Sequence, residues 1–116
     1  MKLIIAGSRH IIPTTEQIAN FIKEFTLAPS IIISGNARGV DRAGEIFANK
    51  VNTPLVLFKA NWDKLGKSAG YIRNQEMAKY GDALLLIWDG ISKGSGHMKK
   101  LMEKENKPVY EVIITD

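Results

Sequence analysis

Five short apolar runs, four of them ending abruptly in glycine or polar residues, constrain this 116-residue chain more than anything else in it. Leu3-Ile4-Ile5-Ala6 stops at Gly7, Ile31-Ile32-Ile33 at Ser34-Gly35, Leu55-Val56-Leu57-Phe58 at Lys59-Ala60-Asn61-Trp62, and Ala83-Leu84-Leu85-Leu86-Ile87-Trp88 at Asp89-Gly90. Val109 to Ile114 is the fifth. Runs that are apolar at consecutive positions suit strands covered on both faces, the condition of a parallel sheet. The segments between them suit helices. Thr14 and Gln17 have capping-box spacing, with Pro13 and Ile18 placed as a staple, which predicts a helix from about Thr15 to Thr26 that buries Ile18, Phe21, Ile22 and Phe25. Further helices are predicted over about Val40 to Val51, with Ile46 and Phe47 inward, over about Ala69 to Lys79 after an irregular stretch from Asn61 to Ser68, and over about Gly96 to Glu105.

Strands alternating with helices define an α/β fold: a Rossmann-like, doubly wound, mostly parallel five-stranded sheet with helices on both faces, forming one domain over residues 1–116. Composition limits what such a domain does. The chain has no cysteine, hence no disulfide framework, thiolate nucleophile or cysteine-built metal site, which fits a cytoplasmic protein. No apolar run approaches the roughly 20 residues of a membrane span, and the first run is too short for a signal peptide, so no membrane partner is expected. The net charge of +4, with Lys99, Lys100, Lys104 and Lys107 near the C-terminus, favours anionic ligands without specifying nucleic acid.

In doubly wound sheets the ligand crevice lies beyond the carboxyl ends of the strands. The polar and glycine-rich loops of this chain converge there. The segment Ser34-Gly35-Asn36-Ala37-Arg38-Gly39 opens a helix, whose free N–H groups attract anions; its glycines permit close approach of backbone to a phosphate, Arg38 offers a forked charged pair, and Asp41 suits a ribose hydroxyl or a partner for Arg38. Gly35 as a plain turn residue and Asp41 as a helix cap explain the loop in isolation equally well. Ser92-Lys93-Gly94-Ser95-Gly96 makes a second candidate cradle, in which Ser95 serves as N-cap, phosphate contact or both. Neither loop follows the G-x-G-x-x-G or G-x-x-x-x-G-K-[ST] pattern. His97, and His10 across the crevice, are candidate proton donors, although the reading as solvated residues is the stronger expectation; two isolated histidines make no zinc site. Trp62 and Tyr71 are candidates for stacking on a base or for covering the sheet edge.

The blocks "GSRH", "ISGNARGVDRAGEIFA", "NWDKLGKSAGYIRNQEM" and "WDGISKGSGHM" resemble, in order, the motifs of the YspA-like branch of the SLOG superfamily, to which the Smf/DprA and LOG branches also belong. The resemblance extends from Leu3 to Val109 and implies a Rossmann-like fold that binds a nucleotide or nucleotide derivative. It places the ligand on Gly7, Ser8 and Arg9, on Ser34, Gly35, Arg38, Gly39 and Asp41, on Arg73 and Asn74, and on Asp89, Gly90, Ser92, Gly94 and Ser95; the reading of the second loop adds Asn36. Relatives commonly dimerise, so a homodimer is an expectation. Two departures bear on chemistry. The LOG branch carries a catalytic glutamate in a P-G-G-x-G-T-x-x-E block, and that position falls here on Met98, whose thioether exchanges no proton. Asn61 stands where this branch is expected to have an aspartate before the tryptophan.

Three functions compete. The first is binding of a nucleotide-like ligand, with a divalent metal only if it arrives with the phosphates. The second is hydrolysis of a glycosidic or phosphoester bond, with Asp41, Asp89 and His97 as candidate acid–base groups. The third is single-stranded nucleic-acid binding through Lys99, Lys100 and Lys104, but Glu103 and Glu105 interrupt that basic face and make it the weaker expectation.

Overall fold

Successive residues of the first strand serve two different cores. In the computed structural model, which describes residues 1–115, Leu3 and Ile5 of β1 (Lys2–Gly7) pack toward one side of the sheet while Ile4 and Ala6 pack toward the other. The same alternation runs through β2 (Ile31–Ser34) and β4 (Ala83–Trp88), where Ile32, Leu85 and Ile87 join the first core and Ile33, Leu84 and Leu86 the second. All six residues of β4 are buried, as its unbroken apolar run requires of a central strand. Fully burying each such Leu or Ile is worth about 1.5–3 kcal/mol relative to leaving it exposed.

The sheet order is β3-β2-β1-β4-β5, with β3 (Leu55–Leu57) and β5 (Val109–Ile113) at the edges and every pairing parallel. From β1 the chain winds outward to β3 through α1 (Thr15–Glu24) and α2 (Val40–Lys50), which supply Ile18, Val40 and Phe47 to the first core. It then returns through α3 (Trp62–Leu65), a 3₁₀ turn (Gly66–Ser68) and α4 (Ala69–Tyr80) to β4, and winds outward again through α5 (Lys93–Lys104). Met77 of α4 with Met98 and Met102 of α5 fill the second core. The order of strands therefore reverses between β1 and β4, and that switch point is where a doubly wound sheet leaves a crevice.

The predicted α/β fold is the one observed, with differences at the element ends. The Thr14–Gln17 capping box is formed in both directions, but α1 stops at Glu24: Thr26 turns left-handed (φ 56°), and Leu27 N–H closes the end on the Ile22 carbonyl. Asn52 and Asn106 adopt the same conformation just after α2 and α5. Phe47 is buried as expected, whereas Ile46 is 54% exposed and belongs to the outer face of α2. The stretch from Asn61 to Ser68, expected to be irregular, contains α3, capped by the Asn61 side chain accepting from Lys64 N–H. Helix α5 begins at Lys93, not Gly96, because Asp89 organises the turn before it. Among the described residues no helix is long and apolar enough to cross a membrane.

Candidate functional site

A cleft of about 300 Å³ opens at the switch point, between the loop after β1 and the first turn of α5. Gly7, Ser8 and Arg9 form one wall; Ser92, Lys93, Gly94 and Ser95 form the other. Asp41 of α2 with Arg73 and Asn74 of α4 close its inner end, and Met77 and Met98 bring apolar surface up from the second core. The loop after β1 cannot approach so closely to α2 without Gly39, the N-cap residue: its φ of 77° suits glycine, and a Cβ there would lie 2.4 Å from the Ser8 carbonyl oxygen.

The entry to α5 is built around Asp89. Its carboxylate accepts from Ile91 N–H (2.9 Å), Ser92 N–H (2.8 Å) and the Ser92 hydroxyl (2.8 Å). The backbone bond from Ile91, then those from Ser92, hold the carboxyl down to about 2, and His10 stands 3.6 Å away. Since Ser92 spends its one proton on Asp89, Ser8 must donate to Ser92 across 2.9 Å, and Ser8 in turn accepts from Asp89 N–H at 3.1 Å. The result is a closed ring of hydrogen bonds that ties β1 to β4 at their carboxyl ends. Asp89 is thus a committed structural anion, poorly suited to abstracting a proton, and Gly90 (φ 86°) serves its turn. Beyond the ring, the N–H groups of Lys93, Gly94 and Ser95 and the Ser95 hydroxyl have no partner among the described residues, so the first turn of α5 presents free donors to the cleft.

Asp41 and Arg73 meet differently. Both are buried, and both lie against Gly35: Arg73 Nη1 donates to the Gly35 carbonyl, and a Cβ on Gly35 would be 2.9 Å from both Nη1 and Asp41 Oδ2. Burial pushes the Asp41 carboxyl up to about 6, against the lowering effects of the Ala37 N–H (3.2 Å) and of Arg73. Burial also lowers Arg73, with Asp41 opposing that shift and Arg9 adding to it. A carboxyl poised near neutrality beside a guanidinium, in a cleft, is the kind of perturbed pair that functional sites collect.

Several of the expected ligand contacts are occupied within the chain. Ser34 donates to Glu45 (2.7 Å) and accepts from Asn36 N–H (3.0 Å), and the Asn36 amide also donates to Glu45 (3.0 Å). These residues brace the loop instead of lining the cleft. Glu45 itself escaped the sequence reading, since a brace eleven residues from Ser34 carries no spacing signal. Asn74 accepts from Arg73 Nε (3.0 Å), lies 3.4 Å from the Gly94 carbonyl and donates to His97 Nδ1 (3.3 Å), which assigns the remaining imidazole proton to Nε2. Burial, then Lys100, lowers His97, and its ring meets Tyr71 edge-on at 4.7 Å. Arg38 is exposed and sits outside the cleft, in a neighbouring hollow with Gly35, Asn36 and Lys59. On the basic helix, Lys99 pairs with Glu111 at 3.1 Å. Among the described residues no cluster of His, Asp or Glu could hold a metal.

Fold and cleft together define a doubly wound α/β domain with a crevice lined by free backbone donors at its switch point. The Gene 61 protein of Mycobacterium phage D29 is 33% identical over 85 residues, covering 68% of this chain and 68% of that protein, and the chain belongs to its family. No family model and no solved structure matches the chain.

Proposed function

We propose that the protein binds a nucleotide or nucleotide derivative, with a phosphoryl group at the first turn of α5. The carrying observation is the convergence, in one cleft, of that turn's free N–H groups with Arg9 and Arg73. The helix terminus supplies directed donors and partial positive charge, and the guanidinium groups add full charge. The nucleoside would extend toward an adjoining hollow of about 180 Å³ lined by Trp62, Tyr71 and Gly70, where an aromatic face is available to a base. The motif resemblance to the nucleotide-binding SLOG proteins agrees with this reading.

Arg9 makes the decisive variant, because it is exposed, lines the cleft and has no side-chain partner among the described residues. A nucleotide at about 100 times its Kd should stabilise the fold by about 2.7 kcal/mol, on the order of 10 °C in melting temperature. Arg9→Ala should lose most of that shift while melting normally without ligand. An unshifted melt across mono- and dinucleotides would end the proposal.

Asp41 favours a second reading, hydrolysis of the bound ligand. A carboxyl titrating at about 6 within the cleft is suited to general acid–base work. Mass analysis of incubated nucleotides decides it: product that disappears in Asp41→Asn, with binding retained, would establish turnover.

A further inference from the structure

Arg9 and Arg73 belong to more than the switch-point cleft. They also line a hollow of about 350 Å³ beyond the Gly35–Ala37 turn, where Arg38 and Lys59 join them. Four cationic side chains face this hollow and no acidic side chain lines it. Among the described residues the side chains of Arg9, Arg38 and Lys59 form no ion pair. Like charges gathered without counter-charges repel one another, and a bound anion relieves that repulsion. The cleft differs in this respect, since Asp41 tempers its charge.

Trp62 is the second observation. The residue is 50% exposed at the start of α3, it lines the cationic hollow, and it borders the smaller hollow that holds Tyr71. A large apolar ring left at the rim of a basic depression offers a stacking face to a base. The switch-point cleft and the cationic hollow, at about 300 and 350 Å³, each stand at the lower end of the roughly 300–1,000 Å³ of small-molecule pockets. Arg9 and Arg73 line both.

We infer that the ligand is a dinucleotide: one phosphoryl group rests on the first turn of α5, and a second phosphate-bearing half occupies the hollow of Arg38 and Lys59 with its base against Trp62. This rests on the nucleotide-binding reading and narrows it from nucleotides in general to two nucleosides joined through phosphate. Phosphodiester and pyrophosphate linkages share that chemistry, and separate probes distinguish them.

Calorimetric titration with AMP, the phosphodiester dinucleotide pApA and diadenosine diphosphate tests the inference. Joining two modest sites by a short linker should make one of the dinucleotides bind on the order of 100-fold tighter than AMP. Arg38→Ala and Lys59→Ala should each cut that dinucleotide-to-AMP ratio about tenfold, as expected for loss of a charged hydrogen bond. Trp62→Ala should do likewise and Trp62→Phe should restore most of the loss, which a merely structural tryptophan would not require. Melting curves establish that each variant is folded. AMP binding with a ratio near one, or variants that weaken AMP and dinucleotide equally, would overturn the dinucleotide while leaving the nucleotide reading intact; no binding of any probe would overturn both. Affinity that climbs steeply again for a single strand of about ten nucleotides, with strong salt dependence, would overturn it in favour of strand binding.

Discussion

Asp41 holds its carboxyl in the interior at a cost that can be measured. The folded protein keeps the proton up to about pH 6, whereas the unfolded chain releases it near 3.8. Folding therefore takes up a proton between those values, so stability falls as the pH rises through the window and is flat above it. Raising the carboxyl from 3.8 to about 6 corresponds to about 3 kcal/mol of destabilisation by the ionised form at pH 7.5. Asp41→Asn keeps an oxygen able to accept the Ala37 N–H and removes the charge. Urea unfolding at intervals from pH 3.5 to 8 should show the variant gaining on the wild type as the pH rises through the window, by up to about 3 kcal/mol, with the two nearly equal at the acid end. Taking the difference between the proteins cancels groups with the opposite trend, such as Asp89, whose contribution is lost as the pH falls toward about 2. Parallel pH profiles for the two proteins would refute the reasoning. A carboxylate retained against such a gradient is expected where function, not stability, selects it.

Gly39→Ala should destabilise the protein by roughly 1–3 kcal/mol from backbone strain alone and weaken nucleotide binding, because its Cβ would press on the Ser8 and Arg9 carbonyls; an unchanged urea midpoint would contradict this. Thr26→Gly should stabilise by about 1 kcal/mol, since a β-branched residue now holds a left-handed position (φ 56°), and the melting temperature reads the outcome. Glu45→Ala should cost about 1.5–3 kcal/mol through the freed Ser34 and Asn36. In Glu45→Gln, the titration midpoint of Asp41 followed by carbon NMR should move down, because the Glu45 charge helps to raise it.

The first four strands could be read from the sequence because each holds a short, continuously apolar run, and only a sheet covered on both faces makes use of such runs. Reading α1 was equally direct: Thr14, Gln17 and Ile18 carry its start within five residues. Other features depend on contacts between distant parts of the chain. Lys93, Gly94 and Ser95 look like loop residues, and only the turn set by Asp89 shows why α5 includes them. Local pattern did not separate Ile46 from Phe47; packing against the sheet does. Within the site, glycines and serines at strand ends located the crevice, but they did not distinguish residues that face a ligand from those that brace the loop. Ser34, Asn36 and Asn74 proved to be engaged by Glu45, Arg73, Gly94 and His97, partners supplied by other elements.

The ring formed by Asp89 N–H, Ser8, Ser92 and the Asp89 carboxylate has a kinetic consequence. It joins the two halves of the doubly wound sheet at their meeting point, so the fold itself holds the donors of α5 in place. For the ligand proposed above, association should then proceed at the rate that collision and charge steering allow. Differences among candidate ligands and among variants that leave the ring intact should then lie in how long the complex lasts, while breaking the ring should slow its formation.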